Sequence, residues 1–172
     1  MESEQIIAAA SVVISGAALY VAWRTVNLQH KHNALSVRPV PNVAAVDFEN
    51  KQRVKLFNNG PGPLFVTQVR VSDGDATKDT IIEWMPDLQH PLAWSNFTGK
   101  LINRSIPSGG ELTLLELQGD TKDARYCEAR DDCRRKLSKL TVSIDFTDVY
   151  GTKFEQYDKP LSWFGRNVQT AV

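Results

Sequence analysis

The opening segment of the chain most constrains what it can fold into. Residues 6–23 form a run of 18 residues without a charged side chain, although charged residues make up 23% of the sequence. A membrane-spanning helix needs about 20 predominantly apolar residues, within a range of about 17–25. The run falls at the lower end of that range and predicts a transmembrane helix.

Aromatic and basic residues mark the end of the run. Arg24 follows Tyr20 and Trp23, and because amphipathic rings settle at headgroup depth, we expect these three residues at the membrane interface. A cleaved signal peptide has a basic start and a small-residue cleavage site, whereas the first five residues contain two acids and no Lys or Arg. The sequence therefore favours a retained anchor over a cleaved signal or the core helix of a soluble protein.

Positive side chains lie on one side of the predicted span. Arg24, Lys31 and Arg38 follow it, and no Lys or Arg precedes it. Lys and Arg stay preferentially on the cytoplasmic side. We therefore predict a single-pass protein of the cell inner membrane, with its N-terminus outside and its C-terminal domain cytoplasmic. Residues 1–38 would form the anchor and a stalk, and residues 39–172 a soluble domain.

Small side chains share one stripe of the predicted span. They recur at steps of three and four residues, as in a left-handed coiled coil, and they are Ala8, Ser11, Ser15, Ala18 and Ala22. Small residues let helices pack closely in lipid, and small or hydroxyl side chains also suit a narrow pore. We predict packing between copies of the chain; a pore lining is the alternative, and chance a third explanation because Ala and Ser are common here.

A rigid stalk is expected beyond the span. Residues 24–35 contain neither Pro nor Gly, so the helix can continue past the bilayer. Pro39 and Pro41 then end it, because Pro lacks an amide hydrogen and disfavours helix in the residue before it. Such a stalk would couple movement of the soluble domain to movement of the span.

Short apolar segments between turn sequences dominate the soluble part. The predicted strands are residues 43–48, 53–57, 64–71, 81–85, 111–117, 140–146 and 152–157. Dense Gly and Pro turns at residues 58–63 and 106–110 separate some of them, and residues 86–103 read as a long loop or broken helix. This pattern predicts a mainly β chain with an antiparallel β-sandwich.

The highly charged residues 120–139 interrupt the β pattern. Asp131 with Arg135, and Asp132 with Lys136, are acid–base pairs four residues apart, which predict a short, solvated helical insertion. A basic run in this segment could receive an anionic ligand or lipid headgroups, although a salt-bridged exposed face is the simpler interpretation. All candidates for such contacts along the chain are Lys31, Arg38, Arg134, Arg135 and Lys136.

Composition and motifs argue against several functions. The 20 basic residues balance the 20 acidic ones, so binding to duplex nucleic acid is not expected. The sequence has no Gly-rich phosphate loop, nucleophile elbow or zinc-protease motif, and we predict neither enzyme activity nor a cofactor or metal. Cys127 and Cys133 are not spaced as zinc ligands. We expect reduced thiols in the cytoplasm, whereas an oxidising compartment would permit a disulfide.

Turn motifs along the chain carry a resemblance. They are Arg38-Pro39, the turn at residues 57–63, the turn at residues 105–111 and the strand and turn at residues 144–151. Together with the span, they resemble a diffuse group of bacterial single-pass membrane proteins with a small immunoglobulin-like β-domain. The layout is also similar to small membrane effectors of antiviral defence, and that resemblance implies an oligomeric channel acted on by a nucleotide signal.

Two hypotheses follow for function. The leading one is a homo-oligomeric membrane protein whose cytosolic β-domain senses a ligand or partner and acts on the spans. In its most specific form, this protein is a defence-linked ion channel or pore. The alternative is a passive membrane-anchored adaptor that binds another protein through a sheet edge or through Trp84, Trp94 and Phe97. A third arrangement, with the domain in the periplasm, would need inverted topology.

Overall fold

The computed structural model describes residues 2–167 and divides the chain into two units, Met1–Val37 and Arg38–Val172. The first unit is a single helix, α1 (Glu2–Ser36), about 52 Å long at 1.5 Å per residue. Among the described residues, α1 is the one helix long and apolar enough to cross a membrane by length and composition. Its most apolar 18-residue window has a mean hydropathy of 2.0 and none of it is buried. The predicted long apolar N-terminal helix is confirmed.

The second unit, hereafter the β-domain, contains nine strands and one α-helix within residues 38–167. The strands are β1 (Pro41–Phe48), β2 (Lys51–Asn58), β3 (Leu64–Ser72), β4 (Thr77–Lys78), β5 (Asn96–Phe97), β6 (Arg104–Ile106), β7 (Glu111–Gln118), β8 (Thr141–Thr147) and β9 (Tyr157–Pro160); the helix is α2 (Ala124–Leu137). One antiparallel sheet has the order β1-β2-β7-β5. The other has the order β4-β3-β8-β9, with β6 also pairing with β3.

Alternating burial explains how the two sheets share one core. Along β2 every second side chain is buried, including Val54 and Leu56. Along β8 the buried side chains are Val142, Ile144 and Phe146. Residues from both sheets belong to one buried apolar cluster, as expected when strands turn alternate side chains to opposite faces. The predicted antiparallel β architecture with a helical insertion is confirmed at this level.

The predicted strand at residues 81–85 is wrong. Residues Ile82–Trp84 form a 3-10 helix instead, with the amides of Trp84 and Met85 donating to carbonyls three residues earlier. A short apolar run does not distinguish a strand from a helical turn by its pattern alone. Here Pro86 follows at once and removes an amide that a longer ladder would need.

The last predicted strand begins later than expected. Of residues 152–157, Lys153 makes an isolated bridge to Thr147, and only Tyr157 belongs to β9. The carboxylate of Asp148 accepts hydrogen bonds from the amides of Tyr150 and Thr152, at 2.8 and 2.9 Å. These bonds hold the chain in a broad turn after β8, which delays strand pairing.

Helix α2 is not solvated on all sides. Asp123 caps its start by accepting from the amide of Arg125. One face is buried, and it comprises Tyr126, Arg130, Cys133, Arg134 and Leu137. The ion pairs within α2 join residues one or three apart, as in Arg130–Asp131 and Asp131–Arg134, rather than the predicted residues four apart. The charged segment therefore forms a helix with one buried face, and not a helix exposed on all sides.

Candidate functional site

The predicted interface and packing residues of the span all lie on exposed surface of α1. The rings of Tyr20 and Trp23 are 6.4 Å apart. The hydroxyl of Ser11 donates to the carbonyl oxygen of Ile7 at 2.8 Å, so its hydrogen is already used within its own helix. At Ser11, the small-residue stripe therefore offers close packing more readily than a free hydroxyl donor.

The three residues of the predicted basic run, Arg134, Arg135 and Lys136, differ in burial. Arg134 is buried, with a side chain 4% exposed, and its Nε lies 3.0 and 3.1 Å from the two carboxylate oxygens of Asp47. It is therefore not available to an anion from solution. Arg135 is exposed and pairs with Asp132, and Lys136 is exposed.

Arg134 belongs to an ion-pair network that fixes α2 to the β1–β2 hairpin. Its guanidinium also contacts Glu49 and Asp131, and Arg130 pairs with the same two acids. Burial opposes ionisation of Asp131, but the hydrogen bonds and charges of Arg130 and Arg134 outweigh it and lower the pKa of that carboxyl. The network joins parts of the chain that are far apart in sequence, so we assign it a structural role.

Trp84 and Lys136, predicted for different reasons, line the same cleft. The cleft has a volume of about 380 Å³ and is called the Trp84 cleft below. The indole Nε1 of Trp84 donates to the carbonyl oxygen of Val71 at 3.2 Å, and Nζ of Lys78 lies 4.7 Å from the ring centroid. The lining residues are Asp73, Lys78, Glu83, Trp84, Met85, Lys136, Lys139 and Leu140.

The acids of the Trp84 cleft are engaged locally. Asp73 accepts from the amides of Asp75 and Ala76 at 3.1 and 2.9 Å, and the hydrogen bond from Ala76 is the main cause of its lowered pKa. Glu83 accepts from the hydroxyl of Thr80 at 2.6 Å. The three lysines of the lining outnumber these two acids, so the cleft can present lysine ammonium groups and an aromatic ring to an anionic ligand.

The lysines at the mouth of the cleft come from two positions around the end of α2. Lys136 lies in its last turn and Lys139 follows it, and both are exposed. No group of three His, Cys, Asp or Glu side chains suited to a metal ion occurs within the part of the chain that the structure describes. The lysines and the indole of the cleft are groups suited to recognise a negative charge and an aromatic group.

The other two predicted partner residues lie elsewhere. Phe97 is 50% exposed on β5, an edge strand of its sheet. Trp94 is partly buried against the apolar core. The predicted surface of three aromatic residues is therefore divided between the Trp84 cleft and the region around β5.

A junction that sequence reasoning missed fixes the start of the β-domain, and we call it the tether clamp. The side-chain oxygen of Asn58 accepts from the amides of Val40 and Gly60, at 3.2 and 3.0 Å. A Cβ at position 60 would collide with the backbone of Arg38 and Val40, so only Gly permits this approach. The guanidinium of Arg38 lies 5.5 Å from the centre of the Phe154 ring.

Further contacts of Asn58 make the tether clamp part of the core. Its amide nitrogen donates to the carbonyl oxygens of Gly62 and Ile106, at 2.7 and 3.1 Å. Asn58 itself is fully buried. The sequence showed a turn at residues 58–63, but the partners of that turn are remote along the chain.

The two cysteines do not form a disulfide. They are six residues apart on α2, which corresponds to a rise of about 9 Å, whereas bridged cysteines have Cα atoms within about 7 Å. Cys133 lies 3.6 Å from the sulfur of Met85, and burial raises its pKa to about 12. An oxidising compartment would therefore not link Cys127 to Cys133 within the folded chain.

Comparison of the chain with protein-family models, with curated proteins and with solved structures found no match.

Proposed function

We propose that this chain is a single-pass membrane protein that acts as a homo-oligomer. Its β-domain binds an anionic ligand in the Trp84 cleft and transmits the binding event to the membrane-spanning part of α1. The observation that carries this proposal is the tether clamp. A passive anchor needs only a loose linker, whereas here a buried Asn58 and a required Gly60 hold the first residues of the β-domain, 38–40, in place directly after α1 ends at Ser36.

The proposed topology follows the charge distribution of the sequence. Residues 6–23 lie in the inner membrane with the N-terminus outside, because Arg24 and Lys31 favour the cytoplasmic side. The β-domain is then cytoplasmic and has an immunoglobulin-like fold. A nucleotide signal suits the Trp84 cleft, since its phosphate can contact the lysines and its base can contact the indole. In its most specific form, the proposal is that the oligomer is an ion channel linked to defence.

A binding experiment tests the ligand site. The full-length protein in detergent is titrated with fluorescent mononucleotides and cyclic dinucleotides, and binding is followed by fluorescence anisotropy. We expect the double variant Lys136→Ala, Lys139→Ala to bind at least about tenfold more weakly, a change of about 1.4 kcal/mol. The matched control is Lys122→Ala, Lys153→Ala, which removes two exposed lysines outside the cleft. Equal loss in both variants, or no binding by the unmodified protein, contradicts the site.

A linker insertion tests transmission separately from binding. Gly-Ser-Gly is inserted between Val37 and Arg38, at the boundary between the two units. The variant keeps both units and the tether clamp, but the added residues make the connection flexible. In liposomes, we expect nucleotide binding to be retained and the conductance response to be lost. A response equal to that of the unmodified protein would show that an uninterrupted connection is unnecessary.

The adaptor function is the second candidate, and two exposed apolar side chains favour it. Phe97 and Ile102 are 50% and 55% exposed, and exposed apolar groups can mark protein-binding surfaces. If the chain is an adaptor, a stoichiometric protein partner should co-purify with it in mild detergent and be lost from Phe97→Ser. Recovery of the homo-oligomer alone would favour the sensing function.

A further inference from the structure

The first strand of the β-domain, β1, forms one edge of its sheet. It pairs with β2 in an unbroken register over all of Pro41–Phe48. The amide of Val43 donates to the hydroxyl of Tyr157 at 3.1 Å, so this amide points away from β2. Because backbone groups alternate in direction along an antiparallel strand, the amide and carbonyl of Ala45 also point away from β2.

The backbone groups of Ala45 are left without a partner inside the fold. Among the described residues, no hydrogen bond outside the β1–β2 ladder involves them. Ala45 is nevertheless half-buried, and a buried backbone group without a partner costs free energy. Proteins usually guard an exposed edge with charged side chains, Pro or a bulge, whereas residues 42–46 contain neither charge nor Pro. The edge of β1 is therefore suited to pair with an added strand.

A cleft of about 470 Å³ lies along this edge, and we call it the edge cleft. One side is lined by β1, and the other by Lys159, Pro160 and Trp163. Pro160 ends β9 and has no amide hydrogen to donate across the cleft. The indole of Trp163, in the 3-10 helix Ser162–Asn167, is 38% exposed. The cleft thus offers backbone groups on one side and an aromatic ring on the other.

The edge cleft also carries positive charge. Lys159 is the one charged residue of its lining among the residues that the structure describes. The guanidinium of Arg166 lies 3.3 Å from the centre of the Trp163 ring. The neighbouring Asp158 lies outside the lining and accepts a hydrogen bond from the side-chain amide of Gln156 at 2.6 Å. A carboxylate that enters the cleft therefore meets a lysine that no acid of the lining neutralises.

We propose that β1 binds an extended segment of another protein, which adds a strand to the sheet and places an acidic side chain against Lys159. Hydrogen bonds to the backbone of Ala45 supply affinity, and Lys159 and Trp163 select the side chains of the segment. The β1 edge of a second copy does not match this charge, because its residues 42–46 carry no acid. The edge cleft shares no lining residue with the Trp84 cleft, so the inference does not depend on nucleotide binding.

Selection of peptides from a random library tests the edge cleft. Phage that display random eight-residue peptides are selected on the full-length protein in lipid nanodiscs. We expect the enriched peptides to alternate β-branched or aromatic residues with polar ones and to contain Asp or Glu, as strand addition beside a lysine requires. The most enriched sequence is then synthesised with a fluorophore, and its binding is measured by anisotropy. Failure to enrich any peptide, or enrichment of peptides without an acid, overturns the proposal.

Two variants address the two parts of the contact. Ala45→Pro removes an amide that points away from β2, and Lys159→Glu reverses the charge of the cleft. We expect each variant to bind the acidic peptide at least about tenfold more weakly. The matched control is Lys122→Glu, which reverses an exposed lysine outside the cleft and should bind as the unmodified protein does. Unchanged binding by a folded Ala45→Pro variant, or equal loss in the control, contradicts strand addition in the cleft.

A charge swap keeps the test decisive if Ala45→Pro does not fold. A peptide with Lys in place of its acid should bind Lys159→Glu more tightly than it binds the unmodified protein, and equal binding to both overturns the contact. A lysine-reactive cross-linker applied to membranes identifies the competing occupant. If no peptide is enriched and Lys159→Glu alone abolishes the cross-linked oligomer, a second copy occupies the cleft and the proposal fails.

Discussion

Tyr126 carries a polar hydroxyl, but it contributes to the fold through its apolar ring. Its side chain is fully buried on α2, and its hydroxyl has no hydrogen-bond partner among the described residues. A Cβ at position 119 would collide with the ring, so Gly119 lets the ring pack directly against the backbone. Burial raises the pKa of Tyr126 to about 12, which keeps the hydroxyl neutral. We therefore assign its contribution to the ring.

Removing that hydroxyl should not weaken the fold. A buried polar group without a partner costs about 1–3 kcal/mol, so we expect Tyr126→Phe to leave the free energy of unfolding unchanged or raise it. Tyr126→Ala should lower it by about 3–5 kcal/mol, because it removes the packed ring. Chemical denaturation of the full-length protein in detergent measures both. A loss of more than about 1 kcal/mol in Tyr126→Phe would reveal a hydrogen bond to the hydroxyl.

At the scale of the element, α2 depends on a buried pair between Arg134 and Asp47. Removing one partner of such a pair costs about 3–5 kcal/mol, because the other charge stays buried and uncompensated. We expect Arg134→Ala to lower the free energy of unfolding by that amount. Arg135→Ala removes an exposed pair with Asp132 and should change it by at most about 1 kcal/mol. Similar losses in the two variants would contradict the buried pair.

The ion-pair network should also make α2 sensitive to acid. The pKa of Asp131 is lowered, so its carboxylate stabilises the fold above the unfolded pKa of about 4, and the stabilisation is lost as pH falls through the folded value. The difference in stability between the unmodified chain and Asp131→Asn should therefore be largest near neutral pH and shrink below about pH 4. Denaturation midpoints across this range provide the measurement, and a difference independent of pH would contradict the assignment.

These elements show how far sequence reasoning reaches. The strands β2 and β8 were predictable because their alternation is local and each second side chain is buried. The helix α2 was predictable from its charge spacing, but its docking was not, since Asp47 lies 87 residues before Arg134. The tether clamp was hidden for the same reason: Asn58 contacts Ile106, 48 residues away. The sites are formed by contacts between residues that are remote in sequence, and local sequence patterns do not show such contacts.

At the scale of the whole molecule, the two thiols of α2 report the compartment of the β-domain. Cys127 is half-buried, whereas Cys133 is fully buried and its pKa is raised to about 12. Because the thiolate is the reactive form, Cys133 should resist alkylation while the protein is folded. The chain thus carries one thiol that can react in the folded state and one that reports unfolding.

A cytoplasmic β-domain predicts a definite labelling pattern with a membrane-impermeant maleimide. Intact cells should give no labelled chain, because the reagent cannot cross the inner membrane. Lysed cells should give one label per folded chain, and denaturant should expose the second thiol. Cys127→Ser is the control and should abolish labelling of the folded chain after lysis. Labelling of intact cells would place the β-domain outside and reverse the proposed topology, whereas two labels on the folded chain would contradict the burial of Cys133. The mass of the labelled protein distinguishes these outcomes.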